Sequence, residues 1–366
     1  MKKIVCLIAT LCLLLASLSA CGYKYADLTL EGNYDMSLKG TTLNVYNWGE
    51  YISDGSEDSV NINKEFEKLT GIKVNYNNFE SNETMYSQLK SGGVTYDIII
   101  PSDYMIERLI KEDMLQKVDT AKLKNYHYIA DEHKGLFFDE KDEYSVPYSV
   151  GMVGMIYNKK QAKDIEKSWN VLWNPKYKDM ALNFNNPRDA FMTAQMILGH
   201  DVNTTDKAEW DAAAEMLKAG KANLQSYVMD EIYGKMETGE ATVAPYYAGD
   251  YLTMLDNNSD LGFFYPKEGT NIFVDSICIP SDARNYAAAM LYIDFLLEPE
   301  ISLANAEYIG YASPNTAVIT NKDYCYYKNE ILYPDKADMP KVQYYHDIDA
   351  AIRTYYEELW NDIKLY

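Results

Sequence analysis

Five short stretches of this 366-residue chain combine side chains able to do chemistry. Asn47-Trp-Gly-Glu-Tyr51, Ser102-Asp-Tyr104, Asn185-Asn-Pro-Arg-Asp189, Tyr246-Tyr-Ala-Gly-Asp250 and Phe273-Val-Asp275 each carry an aromatic ring, a carboxylate, or both. A ring face attracts a cation by about 0.5–2 kcal/mol. A carboxylate pairs an ammonium that would cost several kcal/mol to bury alone. Rings and acids alternating along a cleft therefore suit a linear polyamine, whose ammonium groups are separated by methylenes. A sugar site would also use rings, but would favour Asn, Gln and Arg over surplus acids. Phenols also bind ferric iron, so the 34 tyrosines do not choose by themselves.

The charge balance points the same way. A formal charge of −21 repels phosphate backbones, which argues against nucleic acid, and raises the local concentration of cations at a cleft. Catalysis finds little support. The four histidines (His127, His133, His200 and His346) form no HExxH, and no GxSxG occurs. An exported carbohydrate-active enzyme with paired acids is the rival of a different class. A ferric-ion trap, or a sugar or thiamine-like ligand, is the rival within binding proteins. No cofactor and no resident metal site are expected.

Lys2 and Lys3 open the chain, Ile4 to Leu18 is an apolar run too short for a transmembrane helix, and Ser19-Ala20 leads into Cys21. That layout is an export signal over residues 1–20 and resembles a lipoprotein cleavage box, with Cys21 lipidated and anchored to the outer face of the cytoplasmic membrane or in the periplasm. Residues 21–41 form a polar spacer. Cys278, in an apolar run, and Cys325 remain; a disulfide between them is permitted outside the cell and not required.

The elements that position these stretches follow a βα rhythm. Strands are predicted at Leu43–Tyr46, Ile72–Tyr76, Tyr96–Ile100, Val150–Tyr157, Met180–Phe184, Ala241–Ala244 and Phe273–Ile279. Helices are predicted around Ile62–Leu69, Met85–Leu89, Met105–Ile110, Lys207–Ala219, Ala283–Leu297, Ile301–Tyr308 and Tyr344–Ile363. Gly71 and Gly92 mark two helix ends. The alternation implies an α/β architecture large enough for two domains, with ligands bound beyond the strand ends. Glu83 and Tyr86 fall on a helix and read as structural, as do Trp169, Trp173 and Trp210. The pairs Tyr326-Tyr327, Tyr344-Tyr345 and Tyr355-Tyr356 read as amphipathic packing, and Pro147-Tyr148 as a crossing strand.

Several strings then resemble the spermidine/putrescine-binding proteins of bacterial ABC importers, in order from Thr42 to the C-terminus. They are Leu43-Asn-Val-Tyr-Asn-Trp-Gly-Glu-Tyr51, Phe79-Glu-Ser-Asn-Glu-Thr-Met-Tyr86, Tyr96-Asp-Ile-Ile-Ile-Pro-Ser-Asp-Tyr104, Ser145-Val-Pro-Tyr148, Tyr265-Pro-Lys-Glu-Gly269, Val274-Asp-Ser276 and Ile309-Gly-Tyr-Ala-Ser-Pro-Asn315. The resemblance implies a two-lobed periplasmic-binding-protein-like fold of type II. One lobe would hold 42–149 and 276–319, the other 150–275 and 320–366, closing on ligand by population shift. It implies a monomer that serves a membrane permease and is not an enzyme. Residue by residue, Trp48, Glu50 and Tyr51 match one ligand loop, and Ser102 and Tyr104 a second. Asp275 matches the carboxylate that holds an ammonium, Tyr311 a wall position, Asp189 an acid across the cleft, and Asp250 the aspartate of putrescine-type relatives. Tyr247 and Phe273 stand where tryptophans are frequent, and Asn186 where spermidine-type relatives are acidic. Gly49 replaces a small hydroxyl residue.

Overall fold

The computed structural model describes residues 34, 36–56 and 59–366. The signal over 1–20 and Cys21 lie outside the described residues. The spacer expected over 21–41 is not wholly free of the domain. Tyr34 donates to Glu298 at 2.5 Å and sets its ring edge-on to Phe295, and Gly40 N–H donates to the Gly71 carbonyl.

Local chemistry explains the first elements. β1 (Thr42–Trp48) is followed by α1 (Ile62–Thr70), whose start is fixed by Asn61 accepting from Lys64 N–H and whose end by Gly71 at φ 70°. β2 (Lys73–Phe79) leads to α2 (Asn82–Ser91), capped by Ser81 and ended by Gly92 at φ 66°. β3 spans only Ile98–Ile99, shorter than the predicted Tyr96–Ile100, because its neighbours, β1 and a later strand over Thr270–Cys278, pair with it only there. α3 (Asp103–Lys111) follows at once.

β4 (Ser145–Asn158) is the longest strand. After it come β5 (Ala181–Phe184), α4 (Pro187–Leu198), α5 (Lys207–Gly220), β6 (Leu224–Val228) and α6 (Ile232–Glu237). β7 (Val243–Tyr247), α7 (Ala248–Asn257), β8 (Leu261–Phe264) and β9 (Thr270–Cys278) complete this half. α8 (Tyr286–Leu296), α9 (Pro299–Ile309), α10 (Thr316–Ile319), β10 (Val342–Gln343) and α11 (Ala350–Leu365) follow.

Among the described residues the strands run in the order β2-β1-β3-β9-β4-β7-β5-β6, with β8 on β4 and β10 on β9. β1 pairs in parallel with β2 and β3, and β5 in parallel with β6 and β7. The two parallel groups are joined by the antiparallel pair β4/β9, in register from Ser145↔Cys278 to Met152↔Ile272. β4 then leaves β9 for β7, starting at Val153↔Tyr247. A third connection runs beside it, where Val150 N–H donates to the Ala312 carbonyl.

One apolar core lies where Leu43, Val45, Ile98 and Ile100 meet Ile293 and Phe295; another gathers Met155, Ile156, Phe184, Phe191 and Trp210. Trp169 and Trp210 are fully buried, and Trp173 donates its indole N–H to the Met216 carbonyl. After Ile319 the chain first packs Tyr324 against Leu303, Ala306 and Val318, then gives the Ile331 carbonyl to the Tyr265 hydroxyl. Cys278 is buried and Cys325 exposed, with no disulfide between them.

Tertiary pairing moves three boundaries. Tyr246 and Tyr247 belong to β7 rather than to the loop behind it, because β4 extends the ladder to Tyr247. Phe273 and Asp275 sit inside β9, not at its start. The last helix begins at Ala350, not Tyr344. Asn203 holds the Tyr344 carbonyl and His346 N–H, and Glu107 takes Asp347 N–H, which keeps that stretch extended until Asp349 caps the helix.

Candidate functional site: an acidic, aromatic cleft

A cleft enclosing about 820 Å³ of non-atom space, its open mouth included, lies where the two parallel groups of strands face each other. Trp48, Tyr51, Ser102, Tyr104, Asp189, Tyr247, Asp250, Phe273, Asp275 and Tyr311 all line it. Glu50 does not. It takes a left-handed turn at φ 50° and its side chain is exposed, so the turn that delivers Trp48 and Tyr51 inward carries Glu50 outward.

Trp48 ends β1 and is held by its indole N–H on the Ile100 carbonyl at 2.9 Å, with the Phe79 ring 4.6 Å away. Tyr51, Tyr311, Phe273 and Tyr247 continue the wall. The Tyr51 and Tyr311 rings meet edge-on at 5.2 Å, and Tyr247 meets Phe273 edge-on at 5.5 Å. Two of these rings depend on missing side chains. A Cβ on Gly249 would stand 2.2 Å from the Tyr311 ring, and one on Gly151 2.2 Å from the Phe273 ring. Tyr148 stands behind Tyr51, donating to its carbonyl at 2.6 Å, and is not a lining residue.

The carboxylates differ in how far their oxygens are satisfied. Asp189, in the first turn of α4, accepts from Tyr247 at 2.6 Å, Tyr345 at 2.9 Å and the Asn186 amide at 2.9 Å. Asp250, in the first turn of α7, accepts from Tyr233 at 2.5 Å and Tyr311 at 2.6 Å. Asp103 takes two backbone N–H groups, those of Tyr104 at 2.7 Å and Val274 at 3.2 Å. Asp275, on β9, accepts from Tyr51 through Oδ2 at 2.7 Å, while its Oδ1 is buried with no hydrogen-bond partner. Burial pushes the Asp189, Asp250 and Asp275 carboxyls up to about 6, against the pull of the surrounding hydroxyls. For Asp275 those hydroxyls are Ser102 and Tyr51, yet neither reaches Oδ1 in bonding geometry. Asp103 is raised well above the carboxylate range by burial, Asp275 adding to the effect.

Arg188 is the cation among the lining residues. It is 3 % exposed, lies 4.4 Å from the Tyr345 ring centre, and gives one guanidinium nitrogen to Asn203 at 3.0 Å. Tyr104 donates to Glu83 at 2.9 Å, so Glu83 supports the wall from behind; Tyr86 donates to Glu112 and stacks under Arg108.

Sequence reasoning does not reach all of the lining. Asp103 and Arg188 lie within the quoted strings without an assigned role. Tyr345 belongs to a pair read as packing, because its stretch was expected to be helical. Asp230 follows β6, a strand absent from the sequence reading; the same rule of looking past strand ends would have found it. Glu80 and Asn82 lie in the Phe79–Tyr86 string without an assigned role. Among the described residues no group of three His, Cys, Asp or Glu side chains stands close enough to hold a metal ion. Nor does any helix there have the length and apolarity to cross a membrane.

This arrangement can desolvate a cation between ring faces and offer it a buried, half-satisfied carboxylate. The family model described as bacterial extracellular solute-binding protein matches residues 94–336. The spermidine/putrescine-binding periplasmic protein of Salmonella typhimurium is 36% identical over 326 residues, 88% of this chain and 91% of its own. The Escherichia coli protein of the same name is 34% identical over 326 residues, with the same coverage. A Listeria monocytogenes structure assigned to spermidine/putrescine ABC transport superposes with a TM-score of 0.84 at 36% identity, over 89% of this chain and 99% of that one. The fold is the two-lobed α/β architecture of type II periplasmic binding proteins. The extent of the family match and the identity shared along most of the chain place this protein in the bacterial extracellular solute-binding family, beside the spermidine/putrescine-binding periplasmic proteins of ABC transporters.

Proposed function

We propose that this chain captures a polyamine, putrescine or spermidine, outside the cytoplasm and delivers it to an ABC import permease. The observation that carries this reading is the unpartnered Oδ1 of Asp275, buried in a cleft walled by Trp48, Tyr51, Tyr247, Phe273 and Tyr311. A buried acceptor without a donor costs about 1–3 kcal/mol, and a ligand ammonium removes that cost while gaining a charge-assisted bond. Asp250 and Asp189 supply further negative charge, and the rings cover the methylenes. The two lobes, 42–149 with 276–319 and 150–275 with 320–366, close over the amine about the crossing strands β4 and β9. Contacts made from both sides favour the shut state, which the permease recognises. The chain works as a monomer, exported by residues 1–20 and anchored through lipid on Cys21; Lys2, Lys3, the Ile4–Leu18 run and Ser19-Ala20-Cys21 support this. The relatives named as polyamine-binding support the ligand class.

Calorimetric titration of ligand-stripped protein lacking residues 1–21 with putrescine and spermidine tests the proposal. Saturable one-to-one binding at micromolar or tighter affinity is the expected outcome, and the ratio of the two affinities identifies the preferred amine. Absence of heat with both amines, in protein shown to be folded, would overturn it.

A further inference from the structure

One face of α3 runs out of the cleft and along a segment from the far side of the molecule. Tyr104, Glu107 and Lys111 stand at i, i+3 and i+7 on that helix, so their side chains form one stripe. Each member of the stripe meets the stretch that precedes α11. Tyr104 lines the cleft and sets its ring edge-on to Tyr345, 6.0 Å between centres. Glu107 Oε2 accepts Asp347 N–H at 2.8 Å and lies 3.5 Å from His346 Nδ1. Lys111 Nζ stands 2.9 Å from Glu107 Oε1 and 3.3 Å from Asp347 Oδ2. Phe137 packs beside the stripe, its ring 4.2 Å from that of His346 and 5.4 Å from that of Tyr344.

The two sides of this contact are fixed to different groups of strands. α3 follows β3, which pairs with β1. Residues 342–347 are held on the other side. β10 pairs with the start of β9, Asn203 binds the Tyr344 carbonyl and His346 N–H, and Arg353 on α11 binds Asp347 Oδ1. α11 in turn stacks Tyr356 on Trp210. The same segment reaches the ligand wall, because Tyr345 donates to Asp189 at 2.9 Å. An isolated exposed ion pair contributes little to stability. Here the Glu107 and Asp347 side chains are only 19 % and 13 % exposed, and Glu107 also takes a backbone N–H, so the charges act as a partly sheltered network.

We infer that Glu107, Lys111 and Asp347 form an interlobe clamp, which holds Tyr104 and Tyr345 at the spacing of the shut cleft and slows release of the ligand. The inference rests on the lobe division and the ligand class proposed above. Parting the lobes would take Glu107 and Lys111 away from Asp347 in one movement. A ligand enters before the lobes meet, so a contact made on meeting acts on departure and not on arrival.

The test is stopped-flow fluorescence of the full chain mixed with rising putrescine concentrations, in which the slope of the observed rate gives association and the intercept gives release. Glu107→Ala is expected to release putrescine about three- to tenfold faster, with association unchanged. Glu107→Gln, which keeps an oxygen for Asp347 N–H, should fall between wild type and Glu107→Ala. Lys111→Met should accelerate release by less, because its ammonium is half exposed. A wild-type release rate in Glu107→Ala overturns the clamp even if the melting temperature falls, since a merely structural contact would lower only the latter. Should Glu107→Ala fail to fold, Lys111→Met decides by the same criterion. If wild-type protein binds neither putrescine nor spermidine, the polyamine reading fails, and small-angle scattering of ligand-free protein judges the clamp instead. A larger radius of gyration in Glu107→Ala than in wild type would then support it, and equal radii would overturn it.

Discussion

Asp189 and Asp275 line the same cleft, and both are held near 6 by burial, but they are not equivalent. Asp189 sits at a helix start and is saturated by donors from Tyr247, Tyr345 and Asn186. Asp275 sits mid-strand, accepts from Tyr51 alone, and keeps one oxygen empty. The difference teaches that a buried acid in a binding cleft can do one of two jobs. A fully bonded carboxylate fixes the rings around it, tying β7, α4 and the segment before α11 into one wall. A half-bonded one is where a ligand cation gains most, because its approach repairs an existing deficit.

The largest way to break this comparison is Asp275→Asn. It strips the charge from a desolvated pair, so polyamine affinity should fall at least tenfold in calorimetric titration. A near-wild-type affinity would falsify the assignment of the ammonium to Asp275. Tyr311→Phe is next. It leaves Asp250 with Tyr233 as its hydroxyl donor and removes a bond that joins the segment after α9 to α7, and a loss of about three- to tenfold is expected by the same titration. Asp189→Asn should cost less than Asp275→Asn in affinity but more in thermal stability. An amide there would point a donor at a tyrosine hydroxyl that now donates. If affinity falls further in Asp189→Asn than in Asp275→Asn, the two roles are reversed.

Acidity sharpens the comparison. A carboxyl raised to about 6 from the usual value near 4 takes up a proton more readily in the folded chain than in the unfolded one. Its contribution to stability is therefore greatest below the unfolded pKa and declines as pH rises through about 6. Ligand-free protein should gain thermal stability from these groups between neutral pH and about 4. Polyamine binding needs the charged form and should weaken over the same interval. Near pH 6 binding should release protons, visible as a binding enthalpy that changes with the ionisation enthalpy of the buffer. An enthalpy independent of buffer there would contradict it. The smallest effect on affinity is expected for Trp210→Ala. Trp210 is fully buried beside Phe191 and Tyr356, far in role from the cleft, and its loss should cost about 3–5 kcal/mol of stability with binding unchanged in whatever protein remains folded.

The sequence by itself determined the α/β alternation, the helix ends at Gly71 and Gly92, the burial of Trp169 and Trp210, and the pairing of rings with acids near strand ends. Those features are local. Hydrophobic period, caps and the rule that ligands gather beyond strand ends need only a few consecutive residues to be visible. Only the tertiary structure decided which acids are satisfied and which is not. Two of the donors to Asp189 come from residues 247 and 345, and the partner of Asp275 from residue 51, separations no local pattern encodes. The same is true of Glu50. It stands beside two lining residues in sequence, yet a left-handed backbone turn sends its side chain to solvent. Tyr345 shows the converse, because long-range hydrogen bonds at Asn203 and Glu107 override a helical period and turn a packing residue into cleft wall. Residue type was written in the chain; hydrogen-bond occupancy, which separates a wall from a binding point, arose only when distant segments were brought within 3 Å of one another.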